Sequence, residues 1–161
     1  WRTMFQGIAH VLAQPPNKGE FYLTDAFQYM IDRGARIRVE EVEGWYDCGQ
    51  IETLIETNRY LLENGRGLKP KGGKRVRVTW PVRVEEGVTL DNVEIGPNVT
   101  IEAGSVVRGA KLVDSVVGRE TLVEGARLHG SVIGAHVKVR RVDGSISVAD
   151  HSELLGDEPT A

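Results

Sequence analysis

IGPNVTIEAGSV (residues 95–106) is two six-residue units in tandem. Each opens with a branched aliphatic, Ile95 and Ile101, and carries a small or β-branched residue at its fifth position, Val99 and Ser105. The same form recurs in VEEGVT (84–89), VGRETL (117–122), VEGARL (123–128) and IGAHVK (133–138). A six-residue period with an aliphatic first position marks a parallel β-helix. The aliphatic points inward and stacks on its equivalents in neighbouring coils, the small fifth residue fits a tight corner, and glycine tolerates backbone angles that other residues resist. One coil cannot bury its inner face alone, so stacking supplies the stability. The spacing drops to five between Leu90 and Ile95, and again near 112–117 and 128–133. With three hexads per coil, about four coils are expected.

Outward from this run the period changes. Residues 1–64 read as mixed α and β, 65–75 as a Gly- and Lys-rich linker, 76–155 as the β-helix and 156–161 as a tail. Met4, Phe5, Ile8, Val11 and Leu12 recur at helical spacing. QPPNKG (14–19) ends that helix, since neither proline can continue it. Thr24 is placed to cap a second helix through Ile31, and Gly34 to stop it. RIRVEEVEG (36–44) alternates around Ile37 and Val39 as a strand does. Ile51, Leu54, Ile55, Leu61 and Leu62 form an apolar helical stripe. Both ends of a β-helix are exposed edges that need covers. The 50–64 helix or the linker is placed to cover the first, and the polar tail 149–161 the last.

The 161 residues carry a formal net charge of -3, which argues against a dedicated nucleic-acid binder. One cysteine, Cys48, excludes an internal disulfide framework and a cysteine-based zinc site. No apolar run approaches the roughly 18 residues of a membrane span, and no secretion signal is present. These features lead to the expectation of a cytoplasmic protein with neither nucleic acid nor membrane as partner. The chain opens on Trp1 rather than Met, which reads as a piece of a longer polypeptide.

GEFYLTDAFQYMIDRG (19–34), then VEGWYDCGQIETLIETNRYLL (42–62), then hexapeptide repeats, resemble the carboxyl-terminal portion of the sugar-phosphate nucleotidylyltransferases. The run LVDSVVGRETLVEGARLHGSVIGAHVKV (112–139) followed by VADHSEL (148–154) resembles the long form of glucose-1-phosphate thymidylyltransferase. The resemblance implies a fold in two parts: a remnant of an α/β nucleotidyltransferase domain, then a left-handed parallel β-helix. It also implies a reaction in which a sugar 1-phosphate and a nucleoside triphosphate give a nucleotide sugar and pyrophosphate.

Several residue roles follow from that resemblance. Mg²⁺ is held in this family by two aspartates, and Asp47 matches the second, at the end of a strand. Gly49 would let the chain turn into the next helix, and Trp45 and Tyr46 would wall the sugar side or pack beneath it. Glu20 and Asp25 would lie near the sugar pocket or cap a helix. Tyr46 departs from the pattern, since many long-form members carry a basic residue before the aspartate. The family's phosphate-binding loop, its first metal aspartate and its phosphate-gripping lysine have no counterpart here, so this chain alone is expected to be inactive. A homo-oligomer, a trimer, is the expected assembly, and 1–64 is expected to show an uncovered apolar face.

Two other readings compete. Hexapeptide acyltransferases use a histidine as general base. His129 and His136 lie in the repeats, but no long insertion interrupts 76–148. A β-helix can also serve purely as an oligomerisation module. Asp150, His151 and Ser152 are sequence neighbours on extended chain and face different ways, which disfavours a triad.

Overall fold

The computed structural model describes residues 2–157. By its contacts the chain divides into two compact units, Trp1–Gly44 and Trp45–Ala161.

In the first unit α1 (Arg2–Leu12) lies beside α2 (Leu23–Asp32). Gly7 and Ala26 are the buried residues of these helices, and they meet each other. A β-carbon on Gly7 would lie 2.8 Å from the Ala26 carbonyl oxygen, so the absence of a side chain permits the close crossing. Met4, Ile8, Val11 and Met30 are half-buried, but other apolar side chains are left open, with Phe5 65%, Leu12 59% and Leu23 56% exposed. The uncovered face expected of this region is therefore present.

Two local expectations are corrected. The N-cap of α2 is Tyr22, not Thr24, and it makes no side-chain cap bond. Segment 36–44 forms no strand. Its alternation is genuine, but a strand needs a partner ladder. Among the described residues none pairs with it, and Val39 is 87% exposed. Gly34 does end α2: it adopts φ +83°, and its N–H donates to the Ile31 carbonyl at 2.8 Å.

The second unit is a parallel β-helix with α3 (Ile51–Leu61) packed on it. One face stacks strands Val82–Val84, Val99–Ile101, Val116–Val117, Val132–Ile133 and Ser147–Val148. A second stacks the start of Thr89–Ile95, then Val106–Arg108, Leu122–Glu124, Lys138–Arg140 and Glu153–Leu155. The third stacks Lys74–Val78, the end of Thr89–Ile95, Lys111–Val113, Arg127–His129 and Asp143–Gly144. The result is about five turns, consistent with the left-handed form.

Five turns replace the expected four because the coil is shorter than three hexads. Thr121 bonds Ser105 on the coil before it, sixteen residues earlier, and Val137 bonds Thr121 across the same interval. The five-residue spacings in the sequence are corners reached one residue early, and they recur in every coil. Inward side chains are buried along the coils up to the last: Val84, Ile95, Ile101, Val117, Val123 and Ile133 are each at most 4% exposed, while Val148 and Leu154 of the last coil are half-buried.

The corners obey a simple rule. A residue with positive φ sits three positions before the next inward aliphatic. Gly87 precedes Leu90, Asn92 precedes Ile95, Asn98 precedes Ile101, Gly104 precedes Val107, Asp114 precedes Val117 and Gly130 precedes Ile133. Gly, Asn and Asp tolerate this conformation and fill most of these corners, while Glu120 and His136 hold the same place before Val123 and Val139. Behind them, buried hydroxyls bond from coil to coil. Ser105 Oγ donates to the Gly118 carbonyl at 2.8 Å and accepts the Thr121 N–H at 3.1 Å. Ser131 Oγ accepts the Ile146 N–H at 3.1 Å.

The chain before the first coil covers its start. Leu62, just past α3, is 2% exposed, and Leu68 bridges Arg83 in parallel pairing. At the other end, Glu153–Leu155 continues the β-helix by pairing with Lys138–Arg140 rather than forming a polar cap. Positions 158–161 of the proposed tail lie outside the described residues.

Candidate functional site

The residues singled out by sequence are divided between the two units. Glu20 and Asp25 belong to the first unit, and Trp45, Tyr46, Asp47 and Gly49 to the second.

Glu20 is positioned by a tight turn. Asn17 N–H donates to the Glu20 carbonyl at 2.9 Å, and Glu20 N–H donates to the Asn17 carbonyl at 3.0 Å. The two central residues, Lys18 at φ +53° and Gly19 at φ +86°, have the positive angles of a type I′ turn. Asp25 stands in the first turn of α2, where the helix dipole favours a carboxylate. Both line a cleft of about 310 Å³ with His10, Tyr29 and Arg33. The His10 and Tyr29 rings lie 4.5 Å apart, and the Arg33 guanidinium sits 3.6 Å from the Tyr29 centroid. The sequence contained no signal for these three beyond their helical spacing.

Asp47 does not stand at the end of a strand, because 36–44 forms none. It lies on irregular chain before α3, where its Oδ1 accepts the Gly49 N–H at 3.0 Å. This is a local turn made by an aspartate side chain on its own backbone. A β-carbon on Gly49 would lie 3.2 Å from that oxygen, so Gly49 makes room for the carboxylate. Tyr46 stacks on Tyr60 of α3 with centroids 4.4 Å apart, which ties the junction to the helix. Trp45 is 84% exposed.

The helix after this junction is anchored to the β-helix. Asn58 Nδ2 donates to the Asn98 carbonyl at 3.1 Å, and Thr100 Oγ1 donates to Asn58 Oδ1 at 2.6 Å. Arg59 Nη2 donates to Asp114 Oδ1 at 2.8 Å, and Asn98 Nδ2 donates to the same oxygen at 2.8 Å. Burial pushes the Asp114 carboxyl up. The bonds from Asn98 and Arg59, with the Arg59 charge, outweigh it and hold the group below the ordinary carboxylate range. Asn98 and Asp114 are the corner residues of two successive coils, so the fold itself builds the seat for α3.

Among the described residues no three His, Cys, Asp or Glu side chains gather into a metal-holding group. Asp47 offers one hard oxygen ligand with one lone pair already engaged, and this chain alone does not fit a magnesium site.

The histidines are accounted for by the fold. His136 occupies a corner at φ +57°, with Nδ1 3.2 Å from Glu120 Oε2 and its ring stacked 4.8 Å from His151. His129 is an outward position on a strand. Asp150 Oδ1 accepts the Ala135 N–H at 2.8 Å. No helix among the described residues is long and apolar enough to cross a membrane.

No family profile matches the chain. Individual relatives do. A glucose-1-phosphate thymidylyltransferase of Streptomyces griseus is 30% identical over 78% of this chain and 41% of its own length. One of Streptomyces antibioticus is 28% identical over 89% of the chain and 46% of its own length. This chain is related to the sugar-phosphate nucleotidylyltransferases. The nucleotidylyltransferase likeness is not confined to the repeats, because strands occupy only Lys74–Leu155, about half of the chain. A bifunctional protein GlmU of Thermodesulfovibrio yellowstonii is also similar, 28% identical over 80% of the chain and 27% of its own length. The chain spans less than half the length of these relatives.

Proposed function

We propose that this chain is the carboxyl-terminal portion of an enzyme that joins a sugar 1-phosphate to a nucleoside triphosphate, giving a nucleotide sugar and pyrophosphate. Glucose 1-phosphate and dTTP are the substrates favoured. The observation that carries this reading is the extent of the likeness, which runs through the helical region as well as the repeats in two thymidylyltransferases.

In this reading Asp47 is the residue through which the chain takes part in chemistry. Magnesium neutralises phosphate charge when bound. Asp47 would give it one oxygen, the remaining ligands coming from outside the described residues. The Gly49 turn and the Tyr46–Tyr60 stack orient that carboxylate relative to α3. Glu20 and Asp25, acceptors in a cleft with aromatic walls, suit the hydroxyls of a sugar. The β-helix serves as scaffold for a homo-oligomer, a trimer, in the cytoplasm. Its exposed Trp80 (51%) and Leu155 (61%) support that role.

The test is pyrophosphate release by the polypeptide as its source makes it, supplied with Mg²⁺, glucose 1-phosphate and dTTP. Asp47→Asn should lower kcat by about a hundredfold. Release that is unchanged by Asp47→Asn would remove Asp47 from the chemistry, and no release from the native protein with any sugar 1-phosphate and nucleotide would end the reading.

A further inference from the structure

The third face of the β-helix carries a charge arrangement that the proposed reaction does not use. Arg77, Glu94, Lys111 and Arg127 stand in register on four successive strands. Adjacent strands lie about 4.8 Å apart, so Lys111 and Arg127 are neighbouring like charges with no carboxylate between them. Like charges directly opposite one another are destabilising. Lys111 has Glu94 at 3.7 Å on its other side. Arg127 has no carboxylate within ion-pair distance among the described residues, although Asp143 follows it in register.

Beside this row the surface is hollow. Gly109 and Ala110 leave its floor without long side chains, and the concavity measures about 840 Å³. Arg75, Arg77, Lys111 and Arg127 line it, against Glu94 as the one lining carboxylate. The chain as a whole is at -3, so this concentration of cations runs against the overall balance. The pairs within it are weakly held. Arg75 to Asp91 is 3.0 Å and Arg77 to Glu94 is 2.9 Å, with the two arginine side chains 73% and 84% exposed. Exposed pairs of this kind contribute little and yield readily to a competing anion.

We propose that this concavity binds a small polyphosphate anion, inorganic pyrophosphate or the phosphate chain of a nucleotide. A diphosphate carries several negative charges on one small anion, enough to meet Lys111 and Arg127 together. Arginine offers paired N–H donors to phosphate oxygens, and lysine a point charge. The anion also relieves the repulsion between the two. The site lies wholly on the β-helix, and the inference does not depend on the nucleotidyltransferase reading.

The test is titration calorimetry on the full chain with sodium pyrophosphate at low ionic strength. Saturable binding is expected with Kd below about 1 mM, weakening as salt is added. Lys111→Ala and Arg127→Ala should each weaken it by about tenfold or more. Glu94→Gln should tighten it, a gain that misfolding cannot imitate. Lys138→Ala, an exposed cation on the second face, should leave it unchanged. A nucleoside triphosphate binding markedly more tightly than pyrophosphate would identify the nucleotide as the source, and equal binding would identify the free anion. No saturable heat up to about 10 mM, or equal weakening by Lys138→Ala, would overturn the proposal.

Discussion

Arg59 on α3 holds Asp114 at a corner of the β-helix, guanidinium Nη2 to carboxylate Oδ1, at 2.8 Å. Asp114 can take that place because it tolerates φ +46°, the angle the corner requires. One residue therefore turns the coil and seats the helix. Asp114→Asn keeps the tolerance for the corner and removes the charge. It should lower stability by about 1 kcal/mol, the side chains being 28% and 45% exposed. Thermal unfolding of the two proteins measures it. An unchanged Tm would mean that α3 is held by Asn58 and its partners alone.

The same pair sets a pH dependence. Asp114 has its folded pKa lowered, so its stabilisation is complete above the ordinary carboxylate range and is lost as pH falls through the lowered folded value. The stability gap between wild type and Asp114→Asn should be flat from pH 7 to about 5 and shrink below about 4. A gap that widens on acidification would contradict the assigned direction.

Two glycines separate crowding from backbone strain. A β-carbon on Gly118 would lie 2.6 Å from the Gly134 carbonyl carbon of the next coil. At Gly109 the nearest neighbour would be 3.9 Å away, but φ is +55°. Gly118→Ala should cost about 3 kcal/mol, and Gly109→Ala about 1 kcal/mol from conformation alone. The opposite order in denaturant unfolding would mean that the coils are not stacked as described.

Thr121 joins two successive coils through one hydroxyl. Its Oγ1 donates to the Gly134 carbonyl at 2.9 Å and accepts the Val137 N–H at 3.1 Å, with the residue 1% exposed. Thr121→Val preserves shape and strands both partners, at a cost of about 1–3 kcal/mol. Equal stability of the two proteins would exclude a contribution from the hydroxyl ladder.

The β-helix was legible because its inward positions are read directly from side-chain type. Ile95, Ile101 and Val117 are hydrophobic for one reason only, and their spacing is the coil. The coil count was not, because the five-residue spacings at Leu90–Ile95 and 112–117 are interpretable only once the recurring corner residue, Asn92 or Asp114, is placed. Segment 36–44 shows the opposite failure. Ile37 and Val39 alternate correctly, yet alternation reports what a strand would bury and not whether a partner is present. At the candidate site, Asp47 and Gly49 were legible as a unit. Their mutual hydrogen bond was not, nor the stack of Tyr46 on Tyr60, which depends on where α3 turns.

The β-helix scaffold should self-associate. Sedimentation of the chain at micromolar concentration should give a homo-oligomer, a trimer. A monomer under those conditions would contradict the scaffold role.

Most direct of all is the intact mass of the polypeptide that the source organism makes. The proposed reading, with relatives more than twice as long as the matched region, predicts a mass well above 17.7 kDa. A native mass of 17.7 kDa would contradict it, leaving the β-helix as the functional unit and the enzyme as ancestry.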